Sequence, residues 1–121
     1  MKKGFTLIEL LAVIVILAII LVIAVPRVMN VISNAKADSF KNSVELLASG
    51  IKNEVMAGTI TANGNCKTAV PAAVTAAVRY NPDDFGECIF TVNTNTYEVT
   101  VTATGSATGK FGTQESITVT R

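Results

Sequence analysis

Histidine and tryptophan are absent from the 121 residues. Without histidine the chain lacks the side chain that most often serves as a general base near neutral pH and most often binds a transition metal. Only two cysteines are present. They are too few for a four-ligand zinc site by themselves, and they suit one disulfide in an oxidising compartment. Charge is scarce and balanced: ten Lys and Arg against nine Asp and Glu, a net charge of +1. Such a chain has no basic field of the kind that holds nucleic acid by its phosphates. It also has no glycine-rich nucleotide loop, no nucleophile elbow and no Asn-x-Ser/Thr acceptor. These absences predict no enzyme, no cofactor and no nucleic-acid partner.

What is present is apolar. Half of the residues are hydrophobic, and the mean hydropathy is +0.48. A chain of this length holds one small domain, and the excess hydropathy is concentrated in its first quarter. Met1-Lys2-Lys3-Gly4 is short and positive, and every residue from Leu10 to Val25 is apolar. As a helix, residues 5–25 would span roughly 30 Å, the thickness of a bilayer core. Lys2 and Lys3 at the N-terminal flank predict that this end stays in the cytoplasm and the rest is exported. Without those two lysines, eight basic side chains face nine acidic ones, so the exported part is near neutral.

An ordinary signal peptide cut after Ala24 is the simplest rival. The apolar run is longer than a usual signal core, and Glu9 lies inside it. A carboxylate there carries an insertion cost that neither a plain signal nor a plain anchor benefits from. Cleavage between Gly4 and Phe5 would expose a new α-amino group beside the apolar stretch. Glu9 of one subunit could then pair with the Phe5 ammonium of its neighbour. Such a buried pair selects a register more surely than it adds stability.

Gly4-Phe5-Thr6-Leu7-Ile8-Glu9, after a short lysine leader and before an apolar helix that ends near Pro26, resembles the type IV prepilin processing site. The close match covers residues 1–27; beyond it the likeness is one of layout. The resemblance implies cleavage after Gly4 by a prepilin peptidase, N-methylation of Phe5, subunit registration by Glu9 and a helix bend at Pro26. It implies an α+β pilin fold, with a long N-terminal helix packed against a small antiparallel sheet. It also implies a single-pass membrane protein that becomes a surface filament, for adhesion or motility. The partners would be copies of the chain itself, the assembly platform and minor pilins. A pseudopilin of a type II secretion or competence system would share the same N-terminus. A monomeric membrane-tethered binding module is the alternative from another class.

The organisation expected from these readings is a leader over residues 1–4, an apolar helix over 5–26, an amphipathic helix over 27–58 and a globular region over 59–121. Val28, Ile32, Phe40, Val44, Leu47, Ile51 and Val55 recur mostly at three- or four-residue steps, the stripe of a helix needing a cover. Lys41 and Glu45 stand four apart and can pair. Gly50 reads as a soft point and Gly58 as a stop. Asn63-Gly64 reads as a turn, and a short helix over residues 71–80 would take Thr68 as cap and Pro71 in its first turn. Period-two alternation then predicts three strands: one facing inward through Cys88, Phe90 and Val92, one through Tyr97, Val99, Val101 and Ala103, and one through Ile117 and Val119. Residues 93–96 form the hairpin turn between the first two.

Cys66 and Cys88 enclose about twenty residues, and closing such a loop contributes roughly 3 kcal/mol. An exported setting suits a disulfide, and two buried free thiols are the alternative. Asp83, Asp84 and Glu87 form a small acidic cluster. It is either a calcium site, of the kind known in secretion pseudopilins, or a solvated turn.

Overall fold

The computed structural model describes residues 4–78 and 80–121. Helix α1 runs over Leu7–Met56, with Pro26 inside it. The chain divides into two compact units, Met1–Ala35 and Lys36–Arg121.

In the first unit every Leu, Ile, Val, Met and Phe from residue 5 to 32 is exposed, Val25 the least so at 48%. Val28 and Ile32 belong to this set. Spacing alone placed them in the amphipathic stripe, and spacing does not tell whether a cover exists.

The second unit holds the core. Phe40, Val44, Leu47, Ala48, Ile51 and Val55 are the buried residues of α1. Their steps of three and four put them on one face. The helix ends where the sequence predicts. Gly58 has φ +81°, its N–H donates to the Val55 carbonyl at 3.1 Å, and the Thr59 N–H donates to the Glu54 carbonyl at 2.9 Å. This pair of bonds satisfies two carbonyls left over at the helix end and needs a left-handed residue, hence glycine.

The sheet has four strands, one more than the alternation indicated. The order is β1-β2-β3-β4, with β1 Gly64–Asn65, β2 Phe85–Asn93, β3 Glu98–Gly105 and β4 Gln114–Thr120. All neighbours are antiparallel, with Gly64 opposite Phe90, Phe90 opposite Val101, and Val101 opposite Val119. Strand β1 is two residues long, too short to show a period, and it begins at Gly64, the second residue of the Asn63-Gly64 that reads as a turn. The inward row of Cys88, Phe90, Val99, Val101 and Ala103 closes on the α1 stripe. Phe40 meets Phe85 at 5.5 Å and Phe111 at 5.6 Å between ring centroids. Each such buried side chain stabilises by about 1.5–3 kcal/mol.

Four local expectations are corrected. Tyr97 is not on the inward row: it sits in the hairpin turn with φ 59° and is 46% exposed. Asn93 Oδ1 holds that turn, accepting from the N–H groups of Asn95 and Thr96. Thr68 does not cap a helix, because α2 spans only Ala72–Ala77 with Pro71 in the cap position. The Thr68 N–H instead donates to the Asn65 carbonyl at 3.2 Å. Glu45 pairs with Arg121 Nη2 at 3.3 Å, and among the described residues no ion pair joins it to Lys41. Gly50 is a close approach rather than a soft point: a Cβ there would stand 2.8 Å from Val74 Cγ1 of α2.

Candidate functional site

The features singled out in the first nine residues meet at the start of α1. Gly4 and Phe5 precede the helix, and Phe5 is 91% exposed. Lys2 and Lys3 lie outside the described residues. Thr6 and Glu9 form a reciprocal cap: the Glu9 N–H donates to Thr6 Oγ1 at 3.2 Å, and the Thr6 N–H donates to Glu9 Oε2 at 2.9 Å. Two donors that a helix start leaves without partners are thereby satisfied. The sequence signal for this was present, since Thr6-x-x-Glu9 before an apolar run is the capping-box pattern.

Phe5, Glu9, Leu10 and Val13 line a surface groove of about 370 Å³. Among the described residues that line it every other side chain is apolar, so Glu9 is a lone carboxylate on a hydrophobic wall. In water such a wall is unstable; in a bilayer or a bundle of like helices it is covered. The most hydrophobic 18-residue window of α1 has a mean hydropathy of 3.4, and α1 is long and apolar enough to cross a membrane. A carboxylate in that setting needs a cation or a donor beside it. The Thr6 N–H supplies one donor to Oε2, and among the described residues Oε1 has none.

Pro26 is absorbed within α1, which is continuous on both sides of it. Its ring removes one helical donor, so one carbonyl a turn earlier is unpaired.

The remaining candidates lie in the second unit. Cys66 and Cys88 are joined by a disulfide and are fully buried. The Cys66 N–H also donates to the Cys88 carbonyl at 3.0 Å, so the bond fastens β1 to β2. The acidic trio is not gathered. Asp84 is buried at 7% exposure. Its Oδ1 accepts from the Lys110 N–H at 3.1 Å, and Oδ2 lies 3.7 Å from Lys110 Nζ. Glu87 lies across the sheet surface, lining an outer groove with Thr102, Thr104 and Ser116. Asp83 is exposed at the turn. Among the described residues no three His, Cys, Asp or Glu side chains converge as a metal site. Asp84 and Lys110 are 26 residues apart, and no local pattern announces that contact.

Tyr80 packs on Phe85 with ring centroids 5.1 Å apart. Its hydroxyl is buried with no hydrogen-bond partner among the described residues. Burial pushes its pKa up to about 12, because the phenolate would be desolvated.

Residues 1–25 match the family described as the prokaryotic N-terminal methylation motif. No curated protein and no solved structure matches the chain.

Proposed function

We propose that this chain, whose first 25 residues carry the signature of type IV pilins and pseudopilins, is the structural subunit of a type IV pilus. The observation that carries the reading is Glu9, a single carboxylate five residues after Gly4 on a stretch whose large apolar side chains, from residue 5 to 32, are all exposed. A prepilin peptidase cuts after Gly4 and methylates the new N-terminus at Phe5. The subunit waits in the bilayer with Lys2 and Lys3 on the cytoplasmic side. An assembly platform then transfers it to the growing fibre, where minor pilins and further copies are its partners.

Physical chemistry supports the sequence of events. Lipid covers the apolar surface before assembly, and the same surface on other subunits covers it afterwards. Transfer therefore exchanges one apolar environment for another, and van der Waals packing and polar pairing supply the preference. The Phe5 ammonium of a neighbour gives Glu9 the cation that lipid cannot. Pairing them fixes the register of one helix against the next. Pro26, with its missing donor, gives the helix a place to bend or unwind during that transfer.

A pseudopilin would need the same N-terminus. The feature that would draw the reading toward it, a calcium cluster at Asp83, Asp84 and Glu87, has Asp84 already engaged by Lys110. The test is Glu9→Ala in cells that make the fibre. Cleavage after Gly4 should continue while the yield of sheared fibres falls sharply. Wild-type yield from Glu9→Ala would overturn the assignment.

A further inference from the structure

Strand β4 ends the sheet order. Val99 and Arg121 exchange both backbone bonds at 2.8 Å, which sets the antiparallel alternation. Val119 and Ile117, opposite Val101 and Ala103, therefore turn their N–H and C=O groups toward β3. Thr118 and Thr120 turn theirs outward; beyond Ile117 the register shifts, with Glu115 and Ser116 together opposite Thr104. Among the described residues those outward groups have no backbone partner.

Natural sheets blunt such edges with proline, lysine or very short strands. Strand β4, at 7 residues of sequence QESITVT, has no proline or lysine, and its one irregularity and one charge lie at its first end, around Glu115 and Ser116, leaving residues 117–120 regular. Its two faces differ. Ile117 and Val119 pack half-buried against the core, and Ser116, Thr118 and Thr120 are exposed. The exposed face is already knit by hydroxyls: Thr100 to Thr120 and Thr102 to Thr118, each at 3.1 Å.

We propose that β4 pairs antiparallel with β4 of a second copy of this chain, about a two-fold axis through Thr118. That register sets Thr118 against itself, Ser116 against Thr120, Ile117 against Val119 and Glu115 against Arg121. The outward backbone groups then meet as hydrogen-bonded pairs, the apolar row continues on one face, and the threonine ladder continues on the other. Charge selects this register among the antiparallel ones. Shifting it by two residues puts Glu115 opposite Val119, and only the proposed alignment gives it a cation. Glu115 has no ion pair among the described residues. Arg121 gives Nη2 to Glu45, and its guanidinium has further donors for Glu115 of the second copy. A two-fold contact closes at two copies and does not propagate a fibre. On pili it would tie one filament to another.

The test uses the full chain in detergent micelles, which cover the apolar helix. The described residues hold no free cysteine, since Cys66 and Cys88 are bonded to each other, so an introduced thiol reports alone. Thr118→Cys should give a covalent dimer on mild oxidation, and Ser116→Cys mixed with Thr120→Cys should give a cross-linked pair. Thr91→Cys, on the same outer face but on β2, should stay monomeric. Adding Glu115→Lys to Thr118→Cys should lower the dimer yield several-fold. In the unmodified protein, the Thr118 and Thr120 amides should exchange more slowly as concentration rises. Monomeric Thr118→Cys with concentration-independent exchange would overturn the proposal. Equal cross-linking from Thr91→Cys would do the same, showing crowding in the micelle instead of an edge contact. A partner of another kind on this edge would appear as the first of those results.

Discussion

Thr6 and Glu9 bond each other twice, the backbone N–H of each donating to the side chain of the other at 2.9 and 3.2 Å. One carboxylate therefore has two tasks, capping its own helix and meeting a neighbour. Substitutions separate them. Glu9→Gln keeps an oxygen for the Thr6 N–H but removes the charge that attracts an ammonium. Glu9→Ala removes both. Fibre yield, measured by shearing and quantifying surface protein, should fall in both variants. Helicity of residues 6–12, followed by NMR in micelles, should fall only in Glu9→Ala.

Asp84 clamps the loop between β3 and β4 through the Lys110 backbone. A buried carboxylate hydrogen bond of this kind is worth about 1.5–3 kcal/mol. Asp84→Ala should lower the unfolding free energy by about 2 kcal/mol and speed amide exchange of residues 106–112. Lys110→Met keeps the backbone donor and loses a long ion pair from an exposed lysine, together with the ammonium 5.0 Å from the Phe111 ring centre, so it should cost about 1 kcal/mol, less than Asp84→Ala. Denaturant titration of the full chain in micelles distinguishes the two.

Gly109 tightens the same clamp, since a Cβ there would stand 2.5 Å from Asp84 Cα, a backbone atom. Gly109→Ala should therefore destabilise by about 1–3 kcal/mol, the usual cost of overpacking. The same titration reads it.

The Tyr80 phenol titrates near 10 in the unfolded chain and near 12 in the folded one. Above pH 10 the unfolded state loses this proton first, so stability falls as pH rises from about 10 to about 12. Tyr80→Phe should remove that part of the alkaline loss. It deletes a hydroxyl with no partner among the described residues, so stability at pH 7 should hold or rise. Thermal melts of both proteins at pH 7 and pH 11 measure the difference.

The Cys66–Cys88 bond closes a separation of 22 residues. Replacing both cysteines with Ala should cost about 3 kcal/mol from chain entropy. The lost packing of two buried sulfurs adds to that. Reduction of the native protein should lower its melting temperature in the same direction.

The apolar run, Glu9, the stop at Gly58 and the inward rows of β2 and β3 were legible because each is a local pattern with a fixed period or a fixed conformational demand. Val28 and Ile32 misled because a stripe records which side chains share a face, not what covers it. Tyr97 misled because alternation was carried one residue too far into a turn. Strand β1 was invisible: Gly64 and Asn65 pair because the disulfide, the β2 edge and the Asn63 side chain bonded to the Val92 N–H hold them there. The Asp84–Lys110 clamp and the Arg121–Glu45 pair join residues far apart in the chain, and no short-range signal encodes either. At the N-terminus the motif was plain, but the hydrogen bonds that seat Glu9 emerged only from the geometry.

Mass spectrometry of the N-terminus, on protein sheared from cell surfaces, tests the central claim most directly. The account predicts a chain that begins at methylated Phe5. A chain that begins at Val25, or an uncut chain confined to membranes, would contradict it.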